Sequence, residues 1–358
     1  MQIIALGFFV MIAAGTALLM LPFATASGES ASFADAVFTA TSASCVTGLV
    51  VQDTGTYWSL FGQLVILCLI QIGGLGFMTV ATMFSLLMRR RIGLREREMM
   101  VTSTSAAHIA GILGLTKEII IGTMIFEGVG ALLLAIRFVP MLGVGTGLYY
   151  SVFHAVSGFC NAGFDLLGGI SGKYASFVDF SDDTLVNLTL MALIVTGGLG
   201  FLVWDDLRKN RFKFRRLCLH SKIVLVVSAV LVFGGAALFM IFERNNLNAG
   251  VGVKESILTS LFASVTARTA GFNTVDIASM SAGSKLLTIV LMFIGGSSGS
   301  TAGGIKTTTI AAIAIFSYAG IRRKTEAGIF GRRLSDDTLK KANGVLFTNL
   351  FLALAALS

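Results

Sequence analysis

Three stretches of the chain end on a glycine preceded by small or polar residues: Val46-Thr47-Gly48, Asn161-Ala162-Gly163 and Thr269-Ala270-Gly271. None of these nine residues carries a charge, so what they can offer a ligand is backbone carbonyl oxygen. Rings of such oxygens can replace the hydration shell of a K⁺ ion, whereas an anion pathway needs rings of basic side chains. Glycine tolerates the torsions that aim successive carbonyls at one axis. A helix ending just ahead of each stretch would point its negative end at the same spot and favour a cation there.

Such stretches need a scaffold, and the composition names its solvent. The 358 residues are 55% hydrophobic and only 13% charged, with a mean hydropathy of +0.84. Soluble domains carry about 25% charged residues, so a water-facing surface cannot be built here. With only 2 prolines, linkers, collagen and disorder also drop out. The chain reads as an all-α polytopic membrane protein. Apolar runs of spanning length occupy Ile3–Leu21, Leu60–Met88, Ile119–Val139, Leu185–Trp204, Ile223–Phe242 and, interrupted, Leu286–Ala319. Val345–Leu357 begins another. Between alternate pairs lie shorter runs, Phe33–Leu49, Tyr149–Phe164 and Ser256–Phe272, each holding one of the glycines.

The order long, short, long therefore repeats. Each short run carries a bulky apolar residue (Phe38, Phe153, Leu261) and then an alanine (Ala40, Ala155, Ala263) at fixed distances before its glycine. A second landmark follows in the next long run: Ile72-Gly-Gly-Leu-Gly-Phe77, Thr196-Gly-Gly-Leu-Gly-Phe201 and Ile294-Gly-Gly-Ser-Ser298. We read its glycines, Gly73, Gly74, Gly76, Gly197, Gly198 and Gly200, as helix-packing residues. Repeats at this spacing mark one architectural unit used several times. The units are residues 1–88, 115–207 and 217–320, with 340–358 opening a fourth whose glycine would fall near ~380 on the repeat spacing. The expectation is a pseudo-fourfold arrangement around a central pore, with the fourth unit truncated.

Charge fixes the expected orientation. Six basic residues in Arg89–Lys117, seven in Arg208–Lys222 and seven in Arg322–Lys341 make up 20 of the 27, all in loops of one parity. By the positive-inside rule these loops are cytoplasmic, and the short runs open to the outside of the plasma membrane. Outer segments hold ten acids against five bases, an acidic mouth that would concentrate cations. The net charge of +8 thus reports topology and implies no nucleic-acid partner. Only Glu127, Arg268 and Lys306 fall at membrane depth.

The run Gly295, Gly296, Ser297, Ser298, Gly299, Ser300, Thr301, Ala302, Gly303, Gly304 divides the sixth long segment. Each glycine costs a helix about 1 kcal/mol against alanine, so the run predicts an irregular loop inside the membrane. There it must line a cavity. Gly299–Thr307 imitates a phosphate-binding loop, but Ile305 intrudes before Lys306 and no strand precedes it, so nucleotide binding is rejected. Lys306 is a functional candidate because a buried charge in a membrane is costly; snorkelling to the inner interface is its other reading. Arg268 reads as a buttress behind the third carbonyl stretch. His108, His154 and His220 are scattered and no CxxC occurs, so neither metal nor redox chemistry is indicated. Cys45 and Cys160 read as small packing residues behind the glycines, and no enzyme motif is present.

The segments Cys45-Val-Thr-Gly-Leu49, Cys160-Asn-Ala-Gly-Phe164 and Arg268-Thr-Ala-Gly-Phe272 resemble the Trk/Ktr/HKT superfamily of K⁺ transporters, most of all a Ktr-type membrane subunit. Gln71–Thr79 and Gly299–Thr307 are similar to that family too. The resemblance implies a K⁺ filter built from Gly48, Gly163 and Gly271, with glycine rather than serine at the first position favouring K⁺ over Na⁺. It implies a gating role for the loop 295–304, a homodimer in membrane lipid, and a cytoplasmic ring of nucleotide-binding regulatory subunits. No cofactor is expected on this chain; K⁺ is the substrate, with Na⁺ as an activator or coupling ion. The alternative is a secondary transporter of another solute coupled to Na⁺ or H⁺, which would predict inverted repeats and midplane charges.

Overall fold

The structure is a computed structural model and describes residues 2–76, 79–80, 112–323, 328–330, 332–333 and 335–357. The basic segment Arg89–Arg97, the end of the second long run (Leu60–Met88) and Lys324 lie outside these residues. Among the described residues the chain is helical apart from a two-residue antiparallel ladder, β1 (Gly328–Ile329) with β2 (Arg332–Arg333). No strand pattern in the residues announced that ladder.

Helices α1 (Gln2–Leu19), α2 (Phe33–Cys45) and α4 (Leu60–Leu75) form the first long-short-long group, with a single turn α3 (Thr54–Tyr57) between the last two. The second is α5 (Ile112–Leu142), α6 (Val144–Phe159) and α7 (Thr184–Leu199), continued by α8 (Phe201–Lys209). The third is α9 (Leu219–Phe242), α10 (Val253–Thr266) and α11 (Ala282–Phe293), continued after the Gly/Ser run by α12 (Thr307–Ile321). Helix α13 (Asp336–Leu357) packs on α12. In each group the short helix touches both long ones, and the groups meet where α4 packs on α6 and α7 on α10.

The sequence accounts for where these helices start. Ser32, Ser59, Asp183 and Ser281 each accept a hydrogen bond from a first-turn amide of α2, α4, α7 and α11, the usual way to satisfy orphan N–H groups. Helices α5 and α9 are long and apolar enough to cross a membrane. Their outward faces show Leu132, Ile136, Val230 and Phe233, all more than 60% exposed. Apolar surface of that extent has to meet lipid. The interior is filled by fully buried phenylalanines, among them Phe138, Phe153, Phe159, Phe177 and Phe262.

Two expected spans are not continuous. The run Leu185–Trp204 breaks at Gly200, where φ is +93° and α8 leaves α7 at 91°. Helix α4 stops at Leu75 because Gly76 adopts φ +82°. Hydropathy does not report chain direction, so neither break was visible in the apolar runs. The repeated glycines thus divide into two jobs. Gly73 and Gly197 are packing residues, since a Cβ would lie 2.1 Å from the Ser44 carbonyl oxygen and 1.9 Å from that of Phe159. Gly76 and Gly200 are helix breakers.

Candidate ion pathway

Each short helix ends a few residues before its glycine, and the chain beyond it takes the same form three times. Val46, Asn161 and Thr269 have φ of +56°, +57° and +67°; Gly48, Gly163 and Gly271 follow at +77°, +70° and +86°. Left-handed residues alternating with ordinary ones turn successive carbonyls to one side. Asparagine tolerates that conformation, whereas β-branched valine and threonine rarely adopt it. Sequence pointed to the glycines alone.

Local hydrogen bonds hold the shape. The amides of Thr47, Ala162 and Ala270 donate back to the carbonyls of Ser42, Ser157 and Thr266 at 3.0, 2.8 and 3.0 Å. The hydroxyls of Ser42, Ser157 and Thr266 in turn donate to the carbonyls of Leu49, Phe164 and Phe272 at 2.6, 2.7 and 2.7 Å. A serine or threonine in each short helix thus clamps the residue after the glycine. His154 adds a further tie in the second group: its Nε2 accepts from the Leu166 amide at 3.1 Å while Nδ1 donates to Tyr150 O at 2.7 Å. Neither the clamp nor this histidine was singled out from sequence. None of the nine carbonyls in 46–48, 161–163 and 269–271 accepts a hydrogen bond among the described residues.

The three glycines meet. A Cβ on Gly48 would lie 3.4 Å from the Cα atoms of both Gly163 and Gly271, and one on Gly163 would lie 2.5 Å from Ala270 O. All but Thr47 and Gly271 of these residues are buried or half-buried, and carbonyls without partners there cost several kcal/mol unless a cation or water serves them.

The Gly/Ser run sits against this centre. Its ends pair as short parallel chain, with Gly295 N donating to Ile305 O and Gly296 N to Gly303 O at 3.1 and 3.2 Å. Its middle docks on the α7–α8 break. Ser297 N and Thr301 N donate to Gly198 O and Gly197 O, the Ser297 hydroxyl to Leu199 O, and Phe201 N donates back to Gly299 O at 2.8 Å. Gly303 N donates to Thr269 Oγ1 at 3.0 Å, which joins the loop to the third carbonyl stretch. The break at Gly200 and the loop are therefore one structure.

Arg268 immediately precedes the third carbonyl stretch and lies beside this loop. Its Nη2 donates to Ser228 Oγ on α9 at 3.3 Å and to Gly295 O at 3.5 Å. Lys306 precedes α12 and its Nζ folds back to Ala302 O at 2.7 Å. Neither cation meets a carboxylate among the described residues. Arg268 and Asn161 line one small cavity with Gly296 and Ala302. The Asn161 amide has no partner there among the described residues.

The cysteines part company. Cys160 is buried against Gly74, with Gln71 and Glu127 near its sulfur, while Cys45 is exposed. Gln71 Nε2 donates to Glu127 Oε2 at 3.2 Å, which gives that carboxylate a partner the sequence did not reveal. Several of the acids expected outside serve the backbone. Asp53 accepts from Thr56 N and Tyr174 N, and Glu243 from Ser281 N. Asp183 caps α7 and pairs with Arg137 at 2.7 Å.

Membrane-length helices, an apolar outer surface and half-length helices converging on free carbonyls define a membrane transport protein. The description TrkH: Cation transport protein matches residues 1–356, and the chain belongs to that family. It is 41% identical to the potassium/sodium uptake protein NtpJ of Enterococcus hirae over 99% of this chain and 78% of that protein. It is likewise 41% identical to the Ktr system potassium uptake protein B of Bacillus subtilis, over 98% and 77%, and 37% identical to that of Vibrio alginolyticus, over 96% and 75%. The crystal structure of the potassium transporter TrkH from Vibrio parahaemolyticus has the same fold, with a TM-score of 0.72 at 18% identity, over 98% of this chain and 70% of that one.

Proposed function

We propose that this chain is the ion-translocating subunit of a K⁺ uptake system, moving K⁺ along the axis where Gly48, Gly163 and Gly271 meet. The nine free carbonyls around that axis carry the reading, because dehydrated K⁺ needs several neutral oxygens at close range. The K⁺ uptake named for its relatives in Enterococcus hirae and Bacillus subtilis agrees with it. In this reading the segments 46–48, 161–163 and 269–271 open outward and the basic loops face the cytoplasm. The loop 295–304 with Lys306 is the gate, closing the path below the third stretch. Arg268 holds the near end of that loop through Gly295. We further propose a homodimer in the plasma membrane whose gate answers to a cytoplasmic nucleotide-binding ring, with Na⁺ as activator or coupling ion.

Expression in a host that lacks its own K⁺ uptake tests the reading. The expected result is growth at limiting K⁺; no growth, with the protein correctly inserted, overturns it.

A further inference from the structure

The break at Gly200 swings α8 against the start of α5 and leaves a groove between them, a cavity of about 330 Å³. Its walls are mainly apolar, with Ile125 and Phe126 on α5 and Phe201 and Trp204 on α8, and Glu118, Asp205 and Arg208 also line it. Gly122 forms the floor, where a Cβ would already come within 3.3 Å of the Trp204 ring.

The lower rim has the opposite character. The turn after α8 puts two consecutive non-glycine residues, Arg211 and Phe212, at φ +50° and +59°. Such torsions are unfavourable for L-residues, and bonds from their amides to Arg208 O and Leu207 O hold them. The result displays Phe212, 77% exposed, at the mouth of the groove. An aromatic ring between Arg211 and Lys213 suits a membrane–water boundary.

The acids nearby are already engaged. Glu118 is paired with Arg208, Asp205 with Lys209, and Asp206 accepts from Cys218 N and Asn210. Arg211, Lys213, Arg215 and Arg216 pair with no carboxylate among the described residues. We propose that this groove binds an anionic phospholipid, its acyl chain along α5 and its phosphate at the basic turn Arg211–Arg216. Arg211 and Lys213 flank Phe212, which lines the apolar slot, and together they match an anionic headgroup carrying an apolar chain. A neutral lipid would leave the cations unused, and an acidic protein surface would leave the slot empty. The site shares Phe201 with the docking of the Gly/Ser loop and rests on the cytoplasmic placement of this turn.

The chain has only 2 tryptophans, and Trp204 lines the groove while Trp58 is fully buried elsewhere. The test reconstitutes W58F in bilayers containing brominated phosphatidylglycerol or brominated phosphatidylcholine at equal fractions and reads quenching of Trp204. Brominated phosphatidylglycerol should quench several-fold more effectively, and R211E/K213E in the same background should bring the two lipids to parity. Equal quenching by both lipids before that change, or by neither, overturns the proposal; the second outcome would mean that protein covers the groove. If W58F does not assemble, the difference between the unaltered protein and W204F supplies the same signal. A headgroup preference retained in W204F would also overturn the assignment. The readout does not involve K⁺ movement, so its failure leaves the transport reading standing.

Discussion

The hydroxyl of Thr301 donates to the carbonyl of Phe159 at 3.0 Å, joining the Gly/Ser loop of the third group to the last residue of α6. Two residues further on, Asn161 begins the second carbonyl stretch. The loop and the second carbonyl stretch therefore share a fixed point.

Thr301→Val should cut that link at nearly constant shape. It leaves a buried carbonyl unpaired, a loss of about 1–3 kcal/mol. A lower melting temperature and a several-fold faster Rb⁺ flux into proteoliposomes are expected, with Thr301→Ser restoring both. Unchanged flux in the valine variant would remove the loop from gating.

Gly163→Ala should abolish transport while leaving a folded protein. Its methyl would sit 2.5 Å from Ala270 O and 2.7 Å from the Gly271 Cα, on a backbone at φ +70°. K⁺ uptake is expected to fall more than tenfold. Gly169→Ala is the matched control, because nothing lies within 4 Å of its added methyl. If both variants transport alike, the axis does not pass through Gly163.

Asp165, just past Phe164, should make stability depend on pH. Burial, opposed by its bond from Leu167 N and joined by the nearby Asp53 charge, raises its carboxyl from 3.8 to about 6. The folded protein thus holds this proton more tightly than the unfolded chain does. The stabilisation is full below the ordinary carboxylate range and is lost as pH rises through 6. Melting temperature in detergent should therefore climb between pH 7 and pH 5. Asp165→Asn should flatten that slope and raise the value at pH 7; a slope unchanged by the substitution would assign it to another group.

What the sequence made legible follows from how each feature is encoded. Glycines at 48, 163 and 271 were readable because a left-handed backbone at a crowded centre admits little else. Their partners two residues earlier were not, since Val46 and Thr269 take the same torsions with side chains that disfavour them. There the surrounding hydrogen bonds overrule local preference. The helices were readable from apolar runs, yet the right-angle turn at Gly200 lay hidden inside one. Arg268 was recognisable as a buried cation, but its reach toward Ser228 and Gly295 depends on packing between α9 and α10. The carboxylates expected outside suggested a cation-attracting mouth; their composition did not show that Asp53, Asp165, Asp183, Glu243 and Asp276 accept from backbone amides.

The right-angle turn also bears on how the chain is made. At Gly200 the last carbonyls of α7, those of Gly197, Gly198 and Leu199, find their donors in Ser297 and Thr301, about a hundred residues later. During synthesis those donors emerge only after α9, α10 and α11 have been produced. Until then the end of α7 must keep water at membrane depth, because unmatched helix carbonyls cannot face hydrocarbon. Arrival of the Gly/Ser loop is thus a sealing step in biogenesis: the second group becomes watertight only when the third is in place.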